Sequence, residues 1–252
     1  MVPKVDEGEN LARMERGELY YAFTPQLIAG RQRCSRILNR LNNAGDLTRR
    51  EIAEYWKELT KDDRPLPPPA ATDEEEDAVL HEYPWVERPI RMDYGYNVQV
   101  GSNVFINFNC TIIDTCKVFI GSRTLIGPNV SFFSGTHPLD PDLRNGTNGP
   151  ELGKPITIGS DCWIAGNVII LPGVTVGDGC TIGAGSVVTK HRFSLPFHGP
   201  VHSLGDAHEH QKIFQKDESV RVEGFYIFDN HFVERARPPN CHPRLNRRPS
   251  IF

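Results

Sequence analysis

The chain of 252 residues carries 32 acidic and 28 basic side chains, and a net charge of −4 gives no reason to expect nucleic acid as a partner. Hydrophobic residues make up 38% of it, beside 22 Gly and 20 Pro, which suits a turn-rich core and allows one large domain or two small ones. No apolar run reaches the length of a membrane span or signal segment, and the polar stretch from Met1 to Asn10 predicts a cytoplasmic protein with no membrane partner.

Residues 9–63 read as helical. Thr24 followed by Pro25 is a helix start, and Leu27, Ile28, Cys34, Ile37, Leu38 and Leu41 form one apolar stripe that ends at Asn42, Asn43 and Gly45. Thr48 and Glu51 have capping-box spacing before a further helix that buries Ile52, Tyr55, Trp56 and Leu59. Residues 64–82 turn Pro-rich and then acidic, which predicts an exposed, poorly ordered linker without chemistry. Tyr83 to Asp93 is expected to pack over whatever follows.

From 94 to 190 a six-residue period dominates. Apolar residues recur at Tyr94, Val100, Ile106 and Ile112, then at Ile120, Ile126 and Phe132, and again at Ile158, Ile164, Ile170, Val176, Ile182 and Val188. Four positions after each, the residue is small or modest, as at Val98, Cys110, Thr124, Val130, Thr136, Cys162 and Cys180. Gly often follows the apolar residue, as at Gly95, Gly101, Gly121 and Gly159, and predicts corners with dihedrals that a Cβ forbids. Two coupled periods of this kind predict a parallel β-helix, three short strands to a coil, each coil stacking its aliphatic residues on the next. Four of the six cysteines occupy the small position and read as reduced core fillers.

The repeat breaks once, across residues 134–155, in a run rich in Gly, Pro, Asn and Asp that predicts a loop leaving the solenoid. Loops on rigid scaffolds commonly carry function, and His137 lies here, the only histidine between Asp93 and Lys190. Beyond Lys190 the period stops. Residues 191–252 hold seven of the nine histidines and a basic, Pro-rich end, and predict an atypical tail. His202, His208 and His210 lack the spacing of a defined zinc site, so no metal is expected.

Asn107 to Lys190 resembles the sugar O-acetyltransferase branch of the hexapeptide-repeat acyltransferases, through NFNCTIID at 107–114, SGTHPLDPDLR at 134–144 and the repeats from Ile156 to Lys190. Arg13-Met14 and Gly17-Glu18-Leu19-Tyr20 resemble the helical segment that precedes the β-helix in maltose and galactoside O-acetyltransferases. The resemblance implies a left-handed β-helix with a small N-terminal helical domain, assembled as a homotrimer with active sites between subunits. It also implies acetyl-CoA as co-substrate, a sugar as acceptor, His137 as general base without an acyl-enzyme, and Glu151 as the group that orients it. Asn107, Asp114 and Arg31 then match acceptor-binding positions, and Trp163, Gly166, Ala184, Thr189 and Lys190 match coenzyme A positions.

After Lys190 the family's terminal coenzyme A segment is missing, which keeps open a catalytically impaired trimer that binds without turning over. A β-helical carbonic anhydrase needs several histidines where this repeat region has one. An antibiotic or amino-acid hydroxyl as acceptor fits the NFNCTIID stretch and the helical segment less well than a sugar does.

Overall fold

A computed structural model describes residues 5–189, and the expectations for Lys190 and the tail lie outside the described residues. Strands at Trp85–Val86, Phe105–Ile106, Leu125–Ile126, Trp163–Ile164 and Thr181–Ile182 pair in parallel to make one sheet. A second sheet runs through Ile90–Met92, Cys110–Ile113, Ser131–Phe133, Ile169–Ile170 and Val187–Val188, and a third through Val98–Val100, Val118–Ile120, Ile156–Ile158 and Thr175–Val176. Each sheet takes one strand from each coil, so the described residues wind through about five coils of a three-sided solenoid.

The inward side chains explain the period. Ile106, Ile126, Ile164 and Ile182 stack on one wall and Ile112, Phe132 and Ile170 on another, all within 1% of complete burial. Burying each contributes roughly 1.5–3 kcal/mol. Backbone amides close the stack from coil to coil: Leu125 N–H donates to Cys162 O at 2.9 Å and Gly127 N–H to Ile164 O at 2.7 Å.

Pairing register shows where the repeat departs from regularity. Ile164 pairs with Ile182 at the ideal spacing, whereas Val86 pairs with Ile106 and Ile112 with Phe132, each two residues longer. The extra residues follow Met92 and Ile112, and the long insertion follows Phe133, all at the same corner of the prism. The three registers of the sequence are therefore one register interrupted at one corner. Two expectations change with this. The solenoid starts at Trp85 rather than Tyr94, with Val86 and Met92 in the first coil, and Tyr94 instead packs with Met14, Tyr20, Ala22 and Leu27. Thr136, expected inside, is exposed in the insertion.

Of the glycines that follow the apolar residues, Gly95 has the expected left-handed backbone, with φ of 79°, while Gly101, Gly121 and Gly159 serve a different purpose. Elsewhere the left-handed corner residue comes later in the unit and is Asn103, Asn109, Asn129 or Asn167 in several coils and Gly173, Gly179 and Gly185 in the last described ones. Gly121 is required by close approach: a Cβ there would lie 2.4 Å from Gly159 C and Ser160 N of the next coil.

Of the first three helices, the second and third cover the open edge of the first coil. Helix α1 (Glu7–Arg16) is capped by Asp6 and ends at Gly17 with φ of 76°. Helix α2 (Pro25–Asn43) buries Leu27, Cys34, Ile37, Leu38 and Leu41, and α3 (Arg49–Thr60) has the full Thr48–Glu51 capping box and buries Ala53, Trp56 and Leu59. The apolar faces of α2 and α3 run into the solenoid core at Val86 and Ile90, while Met14 of α1 packs in a separate cluster with Tyr20, Ala22, Leu27 and Tyr94. A strand edge also needs hydrogen bonds. Asn42 supplies them, its Nδ2 donating to Ile90 O at 2.8 Å and its Oδ1 accepting Ile90 N–H at 3.0 Å.

Part of the expected linker is ordered. Residues Asp73–Val79 form helix α4, whose N-cap Thr72 accepts Glu75 N–H and whose first turn is entirely acidic, a favourable placement against the helix dipole. Glu76 pairs with Arg50 of α3, a contact that composition could not reveal.

Gly121→Ala should lower stability by about 1–3 kcal/mol or more, because backbone rather than a flexible side chain must yield. Gly45→Ala, which meets nothing within 4 Å, should change it by less than about 0.5 kcal/mol. Urea denaturation of the two variants checks the contrast.

Candidate active site

The insertion leaves and re-enters the solenoid as a two-stranded antiparallel ribbon, Gly135–Thr136 against Leu152–Gly153, with Thr136 opposite Leu152. Continuing that register by one residue sets His137 opposite Glu151. These two are the first residues beyond the ribbon, where the loop opens. Ser134 anchors the exit: its Oγ accepts Cys116 N–H at 2.8 Å and lies 2.8 Å from Ile113 O and 3.0 Å from Cys116 O. Asp140 caps a single helical turn, Pro141–Arg144, and Arg144 donates to Pro138 O at 3.1 Å, so the segment after His137 is bonded to itself. His137 is exposed.

Glu151 is half-buried and its carboxylate accepts the Tyr20 hydroxyl at 3.0 Å. The same two residues exchange both backbone bonds, Tyr20 N–H to Glu151 O at 2.9 Å and Glu151 N–H to Tyr20 O at 2.8 Å. Burial, with Glu151 adding to it, pushes the Tyr20 phenol well above its ordinary range, so it stays a proton donor at neutral pH. Tyr20 stood in a recognised motif without a role. Its partner lies far off in sequence, and no local signal pairs them.

Arg31 donates to Tyr94 Oη at 2.6 Å and to Ala22 O at 2.8 Å, with its guanidinium 5.4 Å from the centre of the Phe23 ring. Beside it Asp93, which sequence reasoning passed over, has its pKa raised by burial while Arg31 draws it back. Arg31, Asp93 and Glu151 thus gather where the insertion departs.

Asp114 is placed differently from the expectation. It is completely buried, and its carboxylate accepts the backbone N–H groups of Asp93 at 3.1 Å, Tyr94 at 2.8 Å and Asn97 at 3.3 Å. Its oxygens hold the widened corner of the first coil rather than facing an acceptor. Burial outweighs those bonds and pushes its carboxyl up to about 7.

Asn107, Gly166 and Ala184, with Trp163 beside them, lie at the preceding corner of the prism. Asn107, half-buried, accepts Phe108 N–H at 2.8 Å. One, two and three coils further on, the same corner presents Gly127, Gly166 and Ala184, with Gly185 N–H donating to Gly166 O at 3.0 Å. Trp163 stands beside them, 54% exposed, in an outward ladder with Trp85, Phe105 and Leu125. Small residues one above another, flanked by an indole, make a strip against which an extended chain can lie. Thr189 is exposed past the last strand. A cavity of about 400 Å³ between α3 and the first coils, lined among others by Trp56, Lys61, Tyr83 and Tyr96, contains none of these residues. Among the described residues no three His, Cys, Asp or Glu side chains gather as metal ligands.

Residues 155–190 match the bacterial transferase hexapeptide (six repeats) and residues 13–59 the maltose acetyltransferase hexapeptide capping motif. The chain is 39% identical over 191 residues to a Schizosaccharomyces pombe protein described as an acetyltransferase, covering 75% of this chain and 86% of the relative. It is similar to the crystal structure of a maltose O-acetyltransferase from Clostridium difficile 630, with 36% identity and a TM-score of 0.64 over 73% of this chain and 89% of that one. A galactoside acetyltransferase solved in complex with coenzyme A aligns at 32% identity with a TM-score of 0.55, over 74% and 82% of the two chains.

Asp114→Ala should leave three backbone N–H groups without an acceptor and lower stability by at least about 2 kcal/mol. Because its pKa is raised on folding, its contribution is fully present below pH ~4 and is lost as pH rises through about 7, so the gap from the native chain should narrow over that range. Denaturant titrations at several pH values measure it. An intact fold with only a raised sugar KM would give Asp114 back to the acceptor.

Proposed function

The chain belongs to the maltose and galactoside O-acetyltransferase family of hexapeptide-repeat acyltransferases, and from that premise we propose that it carries acetyl from acetyl-CoA to a hydroxyl of a maltose-, glucose- or galactoside-like sugar. The observation that supports the mechanism is the ribbon register, Thr136 opposite Leu152, whose continuation by one residue would bring His137 opposite Glu151 at the mouth of the insertion. An alcohol is a weak nucleophile at neutral pH, and imidazole has a pKa suited to taking its proton. His137 removes the sugar hydroxyl proton as the oxygen attacks the thioester carbonyl. The C–S bond of the tetrahedral intermediate then breaks, and the thiolate takes the proton back from the imidazolium. Acetyl passes directly to the sugar, and no acyl-enzyme forms.

Glu151 orients the imidazole from across the ribbon. Arg31 and Asn107 bind acceptor hydroxyls, while Trp163, Gly166, Ala184, Thr189 and Lys190 bind coenzyme A. Within one protomer the described residues His137, Glu151 and Arg31 lie at the corner of the insertion, and Asn107, Gly166 and Ala184, with Trp163 beside them, at the corner before it. A homotrimer would bring the His137 corner of one protomer to the Trp163 corner of its neighbour and complete the site between them. Leu139, 95% exposed in the loop, and the outward Leu125 and Trp163 are the kind of surface that such an interface covers.

Base catalysis contributes roughly 10²–10⁴-fold, about 3–5.5 kcal/mol of barrier. His137→Ala should lose turnover by that factor while keeping its melting temperature and its affinity for acetyl-CoA. Sugar-dependent coenzyme A release checks it, with a no-sugar blank to subtract any signal from the protein's own thiols. Native-like turnover in the variant would remove His137 from the reaction. A native chain that binds no acetyl-CoA would favour the impaired hexapeptide reading instead.

A further inference from the structure

We infer that the N-terminal helical segment, besides covering the first coil, holds the reacting loop in place, and that Tyr20 is a positioning residue acting through Glu151. Three contacts join the segment to the base of the insertion. Gly17, with φ of 76°, sits so close to the ribbon that a Cβ would be 2.5 Å from Gly153 O. Cys116, at the corner that Ser134 anchors, has its Sγ 3.2 Å from Met14 O. Between these, Tyr20 and Glu151 form their two-way backbone bridge, with the phenol donating to Glu151 Oε2 at 3.0 Å.

The geometry divides the work of Tyr20 in two. Its backbone and ring are structural, since the ring is 1% exposed and packs with Met14, Leu27 and Tyr94. Its hydroxyl makes one charge-assisted bond, to the carboxylate proposed above to orient His137. That carboxylate lies at the end of a two-residue strand, and a rotation about its side-chain bonds would take it away from the imidazole. A hydrogen bond from a buried, fixed phenol removes that freedom. Asp93 lies near enough to feel the charge of Glu151, with Arg31 opposing it, so the phenol also gives the carboxylate a neutral donor in an already acidic setting. One segment of chain thereby reaches the chemistry twice, by Arg31 toward the acceptor and by Tyr20 toward the base.

This inference rests on the assignment of Glu151 made above, and the experiment separates the two. Tyr20→Phe keeps the ring and the backbone bridge and removes only the hydroxyl. We expect kcat to fall roughly tenfold, the scale on which loss of orientation at a reacting centre acts, with KM for acetyl-CoA and sugar and the melting temperature unchanged. In a Glu151→Gln background the same change should cost nothing further, because the residue it acts through is already altered.

Equal fractional losses in the two backgrounds would overturn the inference, since a general structural defect multiplies whatever else is changed. So would a Tyr20→Phe protein that melts early or keeps its full rate. Full activity in Glu151→Gln would bring down the assignment of Glu151 itself. An impaired Glu151→Gln beside an unimpaired Tyr20→Phe would bring down only the role of Tyr20.

Discussion

Everything in this fold follows from the requirement that each coil lie flat on the next. Stacking sets the period, because every coil must present the same three inward side chains to the coil beneath it. It demands glycine where two coils come within backbone contact, as Gly121 does against Gly159. It also leaves the first coil with an unpaired edge, and the helical segment exists in its present form to meet that edge. Asn42 behaves there as one residue of a missing strand, giving Ile90 both a donor and an acceptor.

A stacked solenoid tolerates extra residues only at corners, and among the described residues the extra ones all lie at one. The first two coils spend theirs on a wide turn, where the buried Asp114 carboxylate gathers three backbone amides. The third spends its extra residues on the insertion that carries His137. The reactive loop is thus the largest member of a series of irregular corners, and the helical segment lies against all three. This is why a short N-terminal motif and a loop far along the chain share one site: the solenoid folds them onto the same edge.

Much of this was legible from the residues. The repeat is visible because stacking writes itself into the sequence at a fixed interval, and the loop is visible because Gly, Pro and Asn interrupt that interval. The capping box of α3 and the stripe of α2 are local patterns and were readable for that reason. What escaped depends on neighbours distant in sequence. Tyr94 fits the period yet belongs to the other cluster, because the wide corner turns it toward Met14 and Leu27. Asp114 sits in a motif that reads as acceptor-binding, but its burial follows from a turn that the period does not encode. The pairing of Tyr20 with Glu151 spans 131 residues and joins two elements with no shared pattern. Helix α4 was hidden by an acidic composition that reads as disorder until Arg50 is set beside it.

The division of site residues between two corners of one protomer is the feature that most constrains the chemistry. The proposed base on one corner and the strip of small residues on the other would cooperate if a second copy brought them together, as proposed above, and the family to which the chain belongs makes direct acetyl transfer the reaction to look for. Mass spectrometry of the purified full-length protein with acetyl-CoA and a panel of glucose, maltose and a galactoside tests that claim most directly. The account predicts a sugar that gains a single acetyl ester while the protein mass stays unchanged. Acetyl accumulating on the protein, or acetyl-CoA bound without any acetylated sugar across the panel, would contradict it.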